Sequence, residues 1–331
     1  MAETPEEDQR RRRRNRLVRG LLVGGAALGL PALVNAVVAQ RARRLSPQRW
    51  GQPQRFRWRD CQISYRRVGA RGPLVVLLHS IGPGHSSLEW REVTERLGTR
   101  HRIWAPDLLG WGDSDRPRLR YDSHLYLDLL ADFLHEAVGE PCTLVAAGLS
   151  GAYAAQVAVD HPELVRALAL SVPLGVDLHG DEPDLKDTVL HRMLRLPIVG
   201  TSALNAFTSH AALGHHLRRE VFADPKRVGP ALLEEHYRSS HLPGAHGPIA
   251  AYVSGFLNHS VSAILQRVEQ PVWLGWGRAA KSPGVEAADL WLRQLRAAEI
   301  EVFEDAALLP HLERPADVAR SLADFLARQG R

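Results

Sequence analysis

The chain has 331 residues, 45% of them hydrophobic and 24% charged, which is enough apolar material for one large globular domain and excludes a disordered or fibrous protein. The formal net charge of +5 would suit a nucleic-acid partner, but residues 1–50 hold 11 arginines against 4 acids and leave 31 basic against 33 acidic residues in the rest. The body is close to neutral and lacks the basic face that phosphate binding requires, so no nucleic-acid partner is expected.

At the amino terminus, Arg10 to Arg14, Arg16 and Arg19 precede a run from Gly20 to Ala39 without a charge, and Arg41, Arg43 and Arg44 follow it. As a helix such a run rises about 30 Å, the thickness of the hydrocarbon core. The expectation is a basic tail over 1–16, a single-pass membrane helix over 17–40 and a linker over 41–56. A signal peptide cut after Val37-Val38-Ala39 is the rival reading. The arginine excess before the span favours a cytoplasmic amino terminus. Gly20/Gly24 and Gly25/Gly29 have the small-xxx-small spacing that permits a homodimer through the anchor.

Further along, Arg57 to Val68 alternates as an opening strand pair, and Pro73 to His79 is the continuous apolar run of a buried parallel strand. After the loop His79 to Gly84, Ser86-Ser87-Leu88-Glu89 spells a capping box for a helix over Leu88 to Leu97. A strand over His101 to Pro106, a helix over Ser123 to Val138 and a strand over Cys142 to Ala147 follow. Gly148-Leu149-Ser150-Gly151-Ala152 then stands where strand gives way to helix, the setting of a nucleophile elbow, in which a serine is held in strained backbone at a tight turn. Val165 to Val172 is another strand. From 173 to 270 the strand rhythm stops, and this helical stretch with nine of the sixteen histidines is expected to form a cap. Pro271 to Trp276 and Ile300 to Phe303 resume the sheet, with helices over Val285 to Ala297 and Pro315 to Ala327. Strands and helices alternating at this spacing specify a mainly parallel, doubly wound α/β sheet. The two cysteines, Cys61 and Cys142, suggest no disulfide framework, and the cap histidines lack metal-ligand spacing, so neither metal nor cofactor is expected.

The stretches LLHSIG (77–82), PDLLGWGDSDRP (106–117), AGLSGAYA (147–154), DHPELV (160–165), PVWLGWG (271–277) and LPHLERP (309–315) occur in an order that resembles the α/β-hydrolase superfamily, in its capped branch of epoxide hydrolases, haloalkane dehalogenases and esterases. The resemblance covers residues 57–328. It implies Ser150 as nucleophile and the backbone N–H groups of Ile81 and Gly151 as oxyanion hole, although Ser80 stands where relatives usually have glycine. It also exposes two gaps. Ala280 takes the place of the orienting carboxylate after the seventh strand, and Leu308 that of the catalytic histidine. His311, three residues on, is the substitute base nearest that loop, with Asp305, Glu304 or Asp177 to orient it. Three readings stand at this point: a membrane-anchored serine hydrolase acting on an apolar ester or acyl substrate, a degenerate hydrolase fold that binds an apolar ligand or a protein partner, and a membrane scaffold that uses the anchor for assembly.

Overall fold

The computed structural model describes residues 29–176 and 183–329, and its eight-stranded sheet runs in the order β1-β2-β4-β3-β5-β6-β7-β8. β1 (Gln52–Trp58) and β2 (Cys61–Val68) form an antiparallel hairpin, and β2 meets β4 (Arg102–Pro106) antiparallel. β3 (Leu74–Leu78), β4, β5 (Cys142–Ala147), β6 (Val165–Ser171), β7 (Val272–Gly277) and β8 (Ala298–Phe303) pair in parallel. Every residue of β3, β5 and β7 is buried, which is why those segments read as unbroken apolar runs.

Helices cover both faces. α2 (Arg91–Leu97) and α12 (Pro315–Gln329) pack one core with Val75, Leu77 and Val145, while α3 (Ser123–Asp132), α4 (Leu149–Asp160) and α10 (Ala288–Gln294) pack the other with Val76, Leu78 and Leu144. Asp122 caps α3 by accepting the Leu125 N–H, and the helix widens into a π turn over Phe133–Val138 that Gly139 closes in the left-handed conformation. Between β6 and β7 the chain leaves the sheet and runs through α5 (Leu185–Leu194), α6 (Val199–Phe207), α7 (His210–His216), α8 (Pro230–His241) and α9 (His246–Val253), with no strand among the described residues of 173–270. A charged clamp ties this cap to the body. Arg238, buried on α8, reaches Asp113 at 2.9 Å and Glu235 at 2.7 Å, and Asp113 also receives Arg66 at 2.8 Å.

Residues 17–28 of the expected membrane helix lie outside the described residues, and no helix among the described ones is long and apolar enough to cross a membrane. Residues 29–44 form α1, which rests on the cap. Asn35 donates to the Ile198 carbonyl and Ser202 Oγ, each at 3.1 Å, and accepts from Asn205 at 2.8 Å, while Ala42 is fully buried beside Leu213 and Tyr237. The expected linker over 41–56 likewise divides between the end of α1 and the start of β1.

Candidate functional site at the strand-to-helix turn

β5 ends at Ala147, so the first residue beyond the strand is Gly148, and its backbone (φ 57°, ψ −128°) carries the strain of the turn. A side chain there would pay about 1–3 kcal/mol, and glycine does not. Gly148 is half-buried, whereas its neighbours from Cys142 to Ala147 and from Leu149 to Ala155 are buried. Ser150, expected in that strained position, lies instead within the first turn of α4, has no positive φ and is 0% exposed. Its hydroxyl donates to the His79 carbonyl at 2.6 Å, so it ties the loop after β3 to the helix. The geometry moves the focus of the turn two residues back, from Ser150 to Gly148. Strand and helix nearly touch at such a turn, so the residues two before and two after its focus must be small, and Ala146 and Ser150 meet that demand around Gly148.

The space above Gly148 is filled from the opposite loop. A Cβ on Gly148 would stand 2.6 Å from Ser80 Oγ, so the serine hydroxyl of residue 80 occupies the room that a side chain at 148 would need. His79 fixes this loop. Its Nε2 accepts the Leu108 N–H at 3.0 Å, which leaves Nδ1 to donate to the Ser80 carbonyl at 2.6 Å, and burial lowers its pKa and keeps it neutral.

Of the two expected oxyanion donors, the Gly151 N–H is engaged with the Gly148 carbonyl at 3.0 Å, whereas the Ile81 N–H has no hydrogen-bond partner among the described residues. The Leu149 N–H, next in chain to Gly148, is equally unengaged. In an elbow the second donor is the residue after the central one. With Gly148 central, that donor is Leu149 and not Gly151.

The remaining expected residues do not converge on Ser150. Ala280 is buried after β7, and Leu308 donates its N–H to Val221 while its side chain packs against the cap and the core. His311 makes no hydrogen bond to Ser150. It is fully buried in α11 (Pro310–Glu313), its ring stacked on Trp90 at 4.0 Å and its Nδ1 3.5 Å from Ser171 Oγ. Asp305 pairs with Arg314 and Glu304 with Arg278 at the surface, so neither orients His311, and Asp177 lies outside the described residues.

The carboxylate that meets His311 is Glu89, which the sequence pattern had assigned to a capping box. Ser86 makes no side-chain cap, and the segment begins as a 3-10 turn over Ser87–Trp90 before α2. Glu89, 6% exposed, accepts the Ser80 N–H at 2.6 Å and His85 Nδ1 at 2.9 Å. His311 Nε2 stands 3.3 Å from Oε1, the oxygen that also accepts the Ser80 N–H, without the angle of a hydrogen bond. Burial alone would raise the Glu89 pKa, but His311 and His85 outweigh it and hold the carboxyl well below the usual range. Glu89 thus braces Ser80, and through it the loop that covers Gly148.

A cavity of about 440 Å³ is lined by Glu89 itself with His85, His236, Leu88, Phe222 and Leu232 among others, and neither Gly148 nor Ser150 lines it. His236 donates Nδ1 to the Leu232 carbonyl at 3.0 Å, and its Nε2 is buried without a partner. Burial first, then the charge of His85, pushes its pKa down to about 3. The unfolded chain takes up this proton near pH 6.5 and the folded chain does not, so the stability held above pH 6.5 falls as pH drops toward 3 by about 1.4 kcal/mol per pH unit. Urea unfolding from pH 7 to pH 4.5 is expected to show this loss, with the slope reduced by about one proton in His236→Leu. An unchanged slope in that variant would assign the loss to other groups.

A model of the Alpha/beta hydrolase family matches residues 75–321, three quarters of the chain and all the elements that form the turn. The chain belongs to this family. Among its relatives, the 2-hydroxymuconate semialdehyde hydrolase of Pseudomonas sp. (strain CF600) is 28% identical over 272 residues, covering 78% of this chain and 88% of that one. The monoacylglycerol lipase abhd6-B of Xenopus laevis is 24% identical, covering 82% of this chain and 80% of its own. Among solved structures, a bacterial membrane phospholipase A superposes with a TM-score of 0.68 at 24% identity over 96% of this chain and 99% of its own. This alpha/beta hydrolase-family chain is thus similar in sequence to a semialdehyde hydrolase and to a monoacylglycerol lipase. No metal-binding group of three or more ligating side chains occurs among its described residues.

Proposed function

We propose that this alpha/beta hydrolase-fold protein binds an apolar small molecule without turning it over by serine catalysis. The observation that carries this reading is Gly148. The residue in the strained, accessible position of the turn has no side chain, and the nearby Ser150 is buried with its hydroxyl committed to His79. An unassisted serine hydroxyl is a poor nucleophile at neutral pH, and Ala280 and Leu308 supply neither a base nor a carboxylate. The reading of Ser150 as nucleophile with His311 as base is set aside on the same geometry. The ligand's apolar character rests on the relatives, which include a lipase, and on Leu88, Phe222, Leu232 and Leu312 in the cavity beside Glu89, whose wall also carries Arg91, Glu92, Arg227 and Glu235 for a polar end.

Treatment of the purified full chain with a fluorophosphonate probe tests the reading. The expected result is no labelling above a heat-denatured control, under conditions in which an active serine hydrolase is fully labelled. Labelling abolished by Ser150→Ala would restore the serine-hydrolase reading. Labelling that survives Ser150→Ala but is lost in Ser80→Ala would transfer the nucleophile's role to Ser80.

A further inference from the structure

Twelve large apolar side chains are strongly exposed among the described residues, and eleven of them lie on α1, α5, α6 or the turn between the last two; only Ile300, on the edge strand β8, stands apart. Single exposed apolar residues are ordinary, but their concentration on one set of neighbouring helices is not. On α1 they recur as Leu30, Leu33, Val34 and Val37, one stripe at helical spacing, while Asn35 and Ala42 face the cap. On α5 they recur as Leu185, Val189 and Met193, four residues apart, with Leu185 79% exposed. α6 joins the two helices, since Asn35 is bonded to Ile198, Ser202 and Asn205, and it adds Val199 and Phe207.

We infer that this three-helix face docks on an anionic lipid leaflet, with α1 lying along the surface and the cap helices α5 and α6 resting on it. The occupant is identified by the chain's own charge. Arg10 to Arg14, Arg16 and Arg19 lead through the uncharged Gly20 to Leu28 directly into α1, and the exposed Arg41, Arg43 and Arg44 close it. Basic clusters flanking an amphipathic helix are attracted to acidic headgroups while the apolar stripe enters the acyl boundary. α1 is bonded to the cap through Asn35, so its apolar stripe is presented alongside those of α5 and α6. A second cavity, of about 480 Å³, lies beside the α5–α6 turn between Leu194, Ile198 and Thr201, with Arg118 and Arg195 in its wall, so the face on the leaflet adjoins an opening suited to an anionic headgroup. This inference rests on the surface alone and stands whether or not the triad is empty.

The test is flotation of the full chain with phosphatidylglycerol/phosphatidylcholine vesicles, compared with Leu185→Ser/Val189→Ser/Met193→Ser. These side chains are exposed, so the variant keeps its core, and circular dichroism and urea unfolding confirm that it folds. The wild type is expected to float with the anionic vesicles and to bind pure phosphatidylcholine roughly tenfold or more weakly. The triple variant should lose at least about tenfold in partition coefficient. Binding unchanged in that variant overturns the inference, because an amino-terminal span would hold the membrane without the cap. Absence of vesicle binding, together with a dimer in sedimentation that the variant dissociates, also overturns it and makes the face a contact between two copies.

Discussion

Glu89→Leu is expected to lower the free energy of unfolding by about 3–5 kcal/mol, the usual loss when one partner of a buried charged group is removed. The carboxylate accepts the Ser80 N–H and His85 Nδ1 and faces His311 Nε2, which is buried without a hydrogen-bond partner. Leucine fills a similar volume but leaves the Ser80 N–H and the His311 ring buried without it, and His85 without its partner at the cavity wall. Glu89→Leu combined with His311→Leu should recover part of the loss, since the second change removes one stranded imidazole, although it gives up the stack on Trp90. Guanidinium unfolding of the four species measures both quantities. The Glu89 contribution also has a definite pH window. Its folded pKa lies below the unfolded value of about 4.5, so the contribution is complete above that pH and disappears as pH falls through the folded pKa. A loss under 1 kcal/mol at pH 7 would mean that the carboxylate does not hold the loop after β3.

The frame of this protein was legible because its buried strands are continuous apolar runs. The sequence places Cys142–Ala147 to the residue, and β3, β4, β6 and β7 to within one residue at each end, because each is a compact apolar run close to a glycine, proline or polar residue. The focus of the turn was displaced by the motif itself. Gly148 and Ala152 supply small residues around Ser150, but Ala146 and Ser150 supply them equally well around Gly148. The discriminating signal was the end of the strand, since the strained residue follows it directly, and Ser150 stands three residues beyond Ala147. Glu89 was hidden for a different reason. Its spacing from Ser86 satisfies a local capping pattern, and only the tertiary approach of residues 80, 85 and 311 shows that its oxygens are committed elsewhere. The run from Gly20 to Ala39 has the length and apolarity of a membrane span, and hydropathy cannot reveal that Asn35, its most polar member, pairs with the cap.

Gly148→Ser, made together with Ser80→Gly, Ala280→Asp and Leu308→His, is expected to create fluorophosphonate labelling and to raise ester hydrolysis by roughly 10² or more over the wild type. Each change addresses one position of the proposed vacant triad or the hydroxyl that crowds it. Serine at 148 enters the strained position, and glycine at 80 removes the hydroxyl that would stand 2.6 Å from its Cβ. Without that second change, Gly148→Ser should cost about 1–3 kcal/mol of stability and remain unlabelled. The Leu149 and Ile81 N–H groups are already unengaged, so donors for an oxyanion need no mutation. Leu308 and Ala280 are the positions that family register assigns to the base and its orienting carboxylate. Members of a triad act as a unit, so the three-residue versions lacking either the histidine or the serine should fall back to within a few-fold of wild type, while loss of the aspartate should be milder. Rates on a panel of short and medium acyl esters, with circular dichroism as the control for folding, measure the series. A folded quadruple variant that neither labels nor hydrolyses would show that Gly148 is not the vacated nucleophile position, and the turn would then have lost its catalytic geometry as well as its side chains.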